Sequence, residues 1–168
     1  AQMLQLTSEW EGTLWGKPDW IDHYRDLRDD VKSKFKKGTK RKLQEPGTYW
    51  EYNDVRVNQL SLALMLAFRQ PLQDVLKKKI MEPIGATDTW SWHGYKNSWV
   101  EIEGKKLQSV SGGGHWGGGL WIGTKDLARV GQLMLNKGYW IDKEIIPKNW
   151  IEESTRPCPL ASNYGYLW

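Results

Sequence analysis

Residues 54–69 read Asp-Val-Arg-Val-Asn-Gln-Leu-Ser-Leu-Ala-Leu-Met-Leu-Ala-Phe-Arg, apolar on nearly every side of a 3.6-residue period, which predicts a buried helix. Gln70-Pro71 stops it. Pro71 suits the first turn of a second helix whose apolar stripe is Leu72, Val75, Leu76 and Ile80, ending near residues 81–86. Thr124 is placed to cap a third, with Leu127, Val130, Leu133, Met134 and Leu135 facing inward and Gly138 at its C-terminal cap. A short last helix begins at Pro147 and fades before Pro157. Earlier, Asp19 can cap a helix to about Asp30, because Trp20, Tyr24, Leu27 and Val31 recur at helical spacing. Residues 87–92 alternate like a strand, and residues 100–102 and 106–110 flank Glu103-Gly104-Lys105 as a small hairpin. There are no repeats and no strand–helix alternation, which argues against a parallel-sheet nucleotide fold. The pattern predicts one domain over 1–168, mainly α with small β hairpins (α+β).

The chain has 168 residues, enough for one core, and its 12 Trp and 7 Tyr argue against disorder. The formal charge of +4 is concentrated in residues 32–42, and the remainder is slightly acidic. Such a run reads as a solvated loop or helix end, which speaks against nucleic acid as a partner. The lone Cys158 excludes an intramolecular disulfide. No apolar stretch approaches the ~20 residues needed to span a membrane, and the N-terminus lacks a signal-peptide layout; the first residues read as mid-domain sequence, and location is left open.

The chemistry concentrates in residues 46–58, where a Pro-Gly turn delivers Tyr52 onto the start of the long apolar helix. A phenol held at that backbone beside ammonium groups can have its pKa lowered and accept a proton. The plainer reading is a core tyrosine whose hydroxyl caps the helix. Four other segments accompany Tyr52-Asn53-Asp54 in order: Leu6-Thr7-Ser8; Met81-Glu82-Pro83-Ile84-Gly85-Ala86-Thr87-Asp88-Thr89; Gly118-Gly119-Leu120-Trp121-Ile122-Gly123-Thr124-Lys125-Asp126-Leu127-Ala128-Arg129; and Tyr164-Gly165-Tyr166-Leu167-Trp168. Together they resemble the β-lactamase/penicillin-binding-protein superfamily of serine hydrolases, its class C β-lactamase-like and esterase-like members above all.

The resemblance implies the helical lobe of a β-lactamase/transpeptidase-like fold, with the sheet-forming segments and the Ser-x-x-Lys nucleophile lying outside this chain. It gives Tyr52 the role of proton relay to the catalytic serine of a parent enzyme, often exported or periplasmic, that cleaves an ester, amide or β-lactam. Asp54 stands where asparagine is usual and, ionised, donates no hydrogen bond to a substrate carbonyl, so it is instead a helix N-cap or a partner for Lys or Arg. Glu9 stands where glycine is usual after the Thr-Ser turn. Ser33-Lys34-Phe35-Lys36 matches Ser-x-x-Lys formally, but it follows the Thr-Ser turn and sits in a polycation that cannot desolvate Lys36. His115-Trp116-Gly117 fits the family's His-x-Gly pattern out of order; His115 and Trp116 can line a substrate pocket, or simply belong to a glycine-rich loop.

His23 and His93 have no metal-ligand spacing with each other or Cys158, and residues 112–114 lack the Lys-Ser/Thr of a phosphate loop, so no metal and no cofactor are expected. The expected partners are a small acyl substrate in the parent enzyme, and either the missing sheet lobe or a second copy through an exposed apolar face. The alternative is a non-catalytic binding protein using residues 32–42 or a Trp-lined pocket.

Overall fold

A computed structural model describes residues 1–23, 38–112 and 118–168. A minimal hairpin, β1 (Thr13–Leu14) with β2 (Lys17–Pro18), turns at Trp15-Gly16 and runs into a 3-10 turn at Asp19–Asp22. The helix predicted from Asp19 toward Asp30 is a single 3-10 turn that ends at an extended His23, and its remainder from residue 24 lies outside the described residues. Helix α1 (Asp54–Phe68) follows, then α2 (Leu72–Leu76), which continues directly into a π turn at Lys77–Met81. Strand β3 (Trp90–Ile102) pairs antiparallel with β4 (Lys105–Val110) and β5 (Gly119–Ile122), in the order β4-β3-β5. Helix α3 (Thr124–Leu135), the hairpin β6 (Tyr139–Trp140) with β7 (Lys143–Glu144), and α4 (Lys148–Ser154) complete an α+β domain. The strands take a larger share than the sequence pattern predicts, because residues 90–92 of the expected strand and 100–102 of the expected hairpin belong to one long strand interrupted by a bulge between Gly94 and Trp99.

Two apolar clusters hold these elements together. Met65, Leu72, Ile102 and Val110 are buried where α1 and α2 lie on β3 and β4, with Trp92 packed against them. Met81, Ile84 and Leu133 form the second, against Trp90, Ile122 and Trp140. Between them Asp126 joins α3 to the segment entering β3: its carboxylate accepts from the Thr87 amide at 3.0 Å, the Thr87 hydroxyl at 2.7 Å, the Thr89 hydroxyl at 3.0 Å and Arg129 Nη1 at 2.8 Å. Those bonds, Thr87 first, lower its pKa.

Several local expectations change. Helix α1 is not buried all round: Val55, Val57, Leu60 and Met65 face the core, while Leu64, Leu66 and Phe68 face outward. Of the apolar residues of α3 only Leu133 is fully buried; Leu127 and Leu135, eight residues apart on the opposite stripe, are exposed. The N-cap of α3 is Gly123, making Thr124 its first helical residue, because the Gly123 backbone is tied to Thr89 by a 3.0 Å bond. At the other end Lys137, with φ of 53°, takes the left-handed position, and the amides of Lys137 and Gly138 return to the carbonyls of Met134 and Leu133. No described helix is long and apolar enough to cross a membrane.

Candidate functional site

Tyr52 owes its position to a backbone braced from three sides. Gly47 adopts φ of 91°, and its amide donates to Thr7 O at 2.7 Å, while Glu51 N donates to Leu6 O, so the turn is laced onto the N-terminal segment. Asn53 caps α1: its Oδ1 accepts from Arg56 N at 3.1 Å and its Nδ2 donates to Asp19 O at 3.0 Å. Asp54 N donates to Asp22 Oδ2 at 2.8 Å, inside the domain. The N-cap is thus Asn53, not Asp54, and Asp54 is the buried first residue of the helix.

The Tyr52 side chain is 41% exposed. Partial burial, then a hydrogen bond donated to the Asp54 carboxylate, then the charges of Asp54, Tyr164 and Asp22, all push its pKa upward. The sequence expectation of a phenol acidified by neighbouring ammonium groups is therefore corrected in direction, since the groups named here are acids and a second phenol. Tyr164 comes from the C-terminal segment and stacks edge-on against Trp50, centroids 5.2 Å apart, its own pKa pushed up to about 12 by burial. Two of the five ordered segments thereby meet at one place.

Beneath this surface lies a buried ionic cluster that sequence reading missed. Glu9 has φ of 48°, a left-handed conformation that favours glycine. Its carboxylate receives Arg41 through two 2.7 Å bonds, Arg56 Nη1 at 2.8 Å and the Gln44 amide at 2.9 Å. Burial alone would raise its pKa, but these donors outweigh it and hold it at about 2. Arg41 also binds Glu51 at 2.6 Å and covers the Tyr49 ring at 4.2 Å, and Arg56 reaches Trp10 O at 3.1 Å and His23 Nε2 at 3.2 Å. His23 lies 2.8 Å from Asp19 Oδ2; burial lowers its pKa against the opposing pull of Glu51 and Asp19. The signal was present in two oddities: an arginine inside the apolar run of α1, and a glutamate, Glu9, standing where glycine is usual.

His115 and Trp116 lie outside the described residues, as do Ser33 and Lys36. The flanks of the glycine-rich stretch are described. Asn58 of α1 accepts from Gly112 N at 3.0 Å and from Ser111 Oγ at 3.1 Å, and donates to Tyr95 Oη at 3.1 Å. A Cβ on Gly118 would press on Ser111 and Tyr95, so both ends of the stretch are anchored at one buried polar knot.

This order of elements around the capped Tyr52 helix shares its fold with part of solved β-lactamase-like and penicillin-binding-protein structures. Three solved structures carry that statement. A "putative beta-lactamase" from Bacteroides dorei is matched over 95% of this chain and 43% of its own, at TM-score 0.58 and 18% identity. The penicillin-binding protein of Bacillus halodurans is matched over 98% of this chain and 53% of its own, at TM-score 0.59 and 16% identity. The octameric penicillin-binding protein homologue of Pyrococcus abyssi is matched over 74% and 30%, at TM-score 0.50 and 21% identity. The chain thus spans about half or less of each, and identities this low speak for fold alone. No family model and no curated protein matches the sequence.

Proposed function

We propose that this chain is the helical-lobe portion of a β-lactamase-like serine hydrolase, with Tyr52 as its proton relay. The parent reaction is attack of a serine on the carbonyl of an ester, amide or β-lactam. The observation that carries this reading is the half-exposed phenol at the start of α1, set on a backbone fixed by Asn53, Asp22 and the Gly47 turn, within a fold shared with penicillin-binding proteins. In the surroundings described, Tyr52 is a neutral phenol at physiological pH and therefore a proton donor, suited to protonating a leaving group. Taking a proton from serine calls for a cation near Oη, the part that the lysine of a Ser-x-x-Lys element would play. Asp54 accepts the hydrogen bond of the phenol and orients it. No Ser-x-x-Lys element stands beside Tyr52 among the described residues, so the chain by itself is expected not to turn over β-lactams.

The test is to read the DNA flanking this reading frame and to assay the complete product with nitrocefin and a D-alanyl peptide ester. A Ser-x-x-Lys element upstream is expected. Turnover by the complete protein should fall about 100-fold or more in Tyr52→Phe, the usual scale of a lost general acid–base group. A complete reading frame without that element, or full activity in Tyr52→Phe, would overturn the proposal.

A further inference from the structure

Strand β3 carries Ser91 and His93 two residues apart, and the alternation of a strand puts both side chains on one face. Ser91 Oγ lies 2.8 Å from His93 Nε2. The His93 ring stands edge-on to Trp121, with centroids 5.8 Å apart and planes at 81°, and Trp121 is the register partner of Ser91 on β5. The neighbouring strand therefore limits how the imidazole can turn. Both residues line a cavity of about 520 Å³, together with Asp88 and with Asp74 and Lys77 of the facing helix. That volume falls within the ~300–1,000 Å³ range of small-molecule sites. Lys77 opens the π turn, a distortion that recurs at functional positions. None of these residues belongs to the Tyr52 element.

We propose that Ser91 and His93 are a nucleophile–base pair that takes the acyl group of small carboxylic esters. With the ring proton on Nδ1, the Nε2 lone pair accepts the Ser91 hydroxyl. As Oγ bonds to the ester carbonyl carbon, the hydroxyl proton passes to Nε2, and the carbonyl electron pair moves onto oxygen. Collapse of that adduct breaks the bond to the alcohol oxygen, which leaves with the proton from His93. Acyl-serine and neutral imidazole remain; water then attacks, His93 takes its proton and returns one to Ser91 as the carboxylic acid departs. Lys77, half exposed and 4.0 Å from Glu82 Oε1, lines the same cavity, and swung away from Glu82 it would bring positive charge toward the developing oxyanion.

The sequence held a hint. Ser-x-His within an alternating segment places hydroxyl and imidazole side by side, although so short a spacing carries little specificity.

The full chain is incubated with diethyl 4-nitrophenyl phosphate, which leaves a stable phosphoryl ester on an activated serine, and the site is located by peptide mass mapping. One adduct on Ser91 is expected, absent from position 91 in Ser91→Ala and formed at least about tenfold more slowly in His93→Gln. Steady release of 4-nitrophenolate from 4-nitrophenyl acetate should be lost in the same two variants. Because neither side chain is buried, both variants should keep the parent circular dichroism spectrum. No adduct, an adduct on another residue, or wild-type labelling of His93→Gln would overturn the assignment.

Discussion

Glu9 illustrates how a single position can be strained and still indispensable. A left-handed backbone costs a non-glycine residue on the order of 1–2 kcal/mol, yet this carboxylate is the shared acceptor of two arginines and a main-chain amide in a dry interior. Removing one partner of such a pair leaves an uncompensated buried charge. Arg56→Met should therefore destabilise the fold by about 3–5 kcal/mol, read as a lowered urea midpoint at pH 7; a loss below about 1 kcal/mol would show that the cluster contributes little. The pH dependence has a definite sign. His23 has a folded pKa below 6.5, so the unfolded chain takes up that proton first and stability begins to fall as pH drops through 6.5. Glu9, at about 2 folded against 4.5 unfolded, adds a second loss between pH 4.5 and 2. In His23→Gln the upper part of that decline should flatten, and in Glu9→Gln the lower part. At the alkaline end Tyr52 works the other way. Its folded pKa lies above 10, so an NMR titration of its ring carbons should show no ionisation at pH 10, and stability should fall above that pH as the unfolded phenol ionises. Asp54→Asn, which removes the acceptor charge, should bring the transition down; an unchanged transition would exclude Asp54 as its cause.

At the scale of elements, what the sequence revealed and what it hid divide along a physical line. Helices α1, α2 and α4 follow from apolar period and proline punctuation, and the β3–β4 turn follows from Glu103-Gly104. The inward face of α3 was misread, because Leu127 and Leu135 look like core residues until Asp126, fully buried on four hydrogen bonds, claims the face they would have taken. Tyr52 was legible as the residue at the head of α1, whereas the direction of its pKa depends on Asp54, Asp22 and Tyr164, which only the fold assembles. Two glycines test this view of the helices. Gly112 lies against α1, and a Cβ there would overlap Val57 and crowd Ser61, so Gly112→Ala should cost about 1–3 kcal/mol. Gly131 lies within α3 with open space around it, so Gly131→Ala should gain about 0.5–1 kcal/mol through helix propensity. Thermal midpoints moving in opposite directions would bear this out; a stabilised Gly112→Ala would mean that α1 does not approach residue 112 so closely.

For the molecule as a whole, the outward apolar residues are the feature with the largest consequence. Leu64 and Phe68 lie one helical turn apart on α1, 39% and 48% exposed, and Leu127 and Leu135 form a second stripe on α3, 55% and 79% exposed. Trp121 on β5 is 66% exposed and Ile141, in the turn between β6 and β7, 83%. Scattered exposed leucines are ordinary on soluble proteins, but paired positions at helical spacing on two helices are the pattern of a surface that packs against something. The solved structures that share this fold are each roughly two or more times the length matched here, 43% and 53% of their chains being covered in the two longest alignments. Taken by itself, the chain is therefore expected to associate with its own copies as concentration rises. Sedimentation velocity across a hundredfold concentration range should show a weight-average coefficient that climbs above the monomer value. Leu64→Glu with Phe68→Lys should suppress that climb with helical content unchanged, and Leu127→Glu with Leu135→Lys should do so independently if both stripes take part. A chain that stays monomeric throughout would show that these stripes are ordinary exposed surface, and the case for an apolar docking face would fall with it.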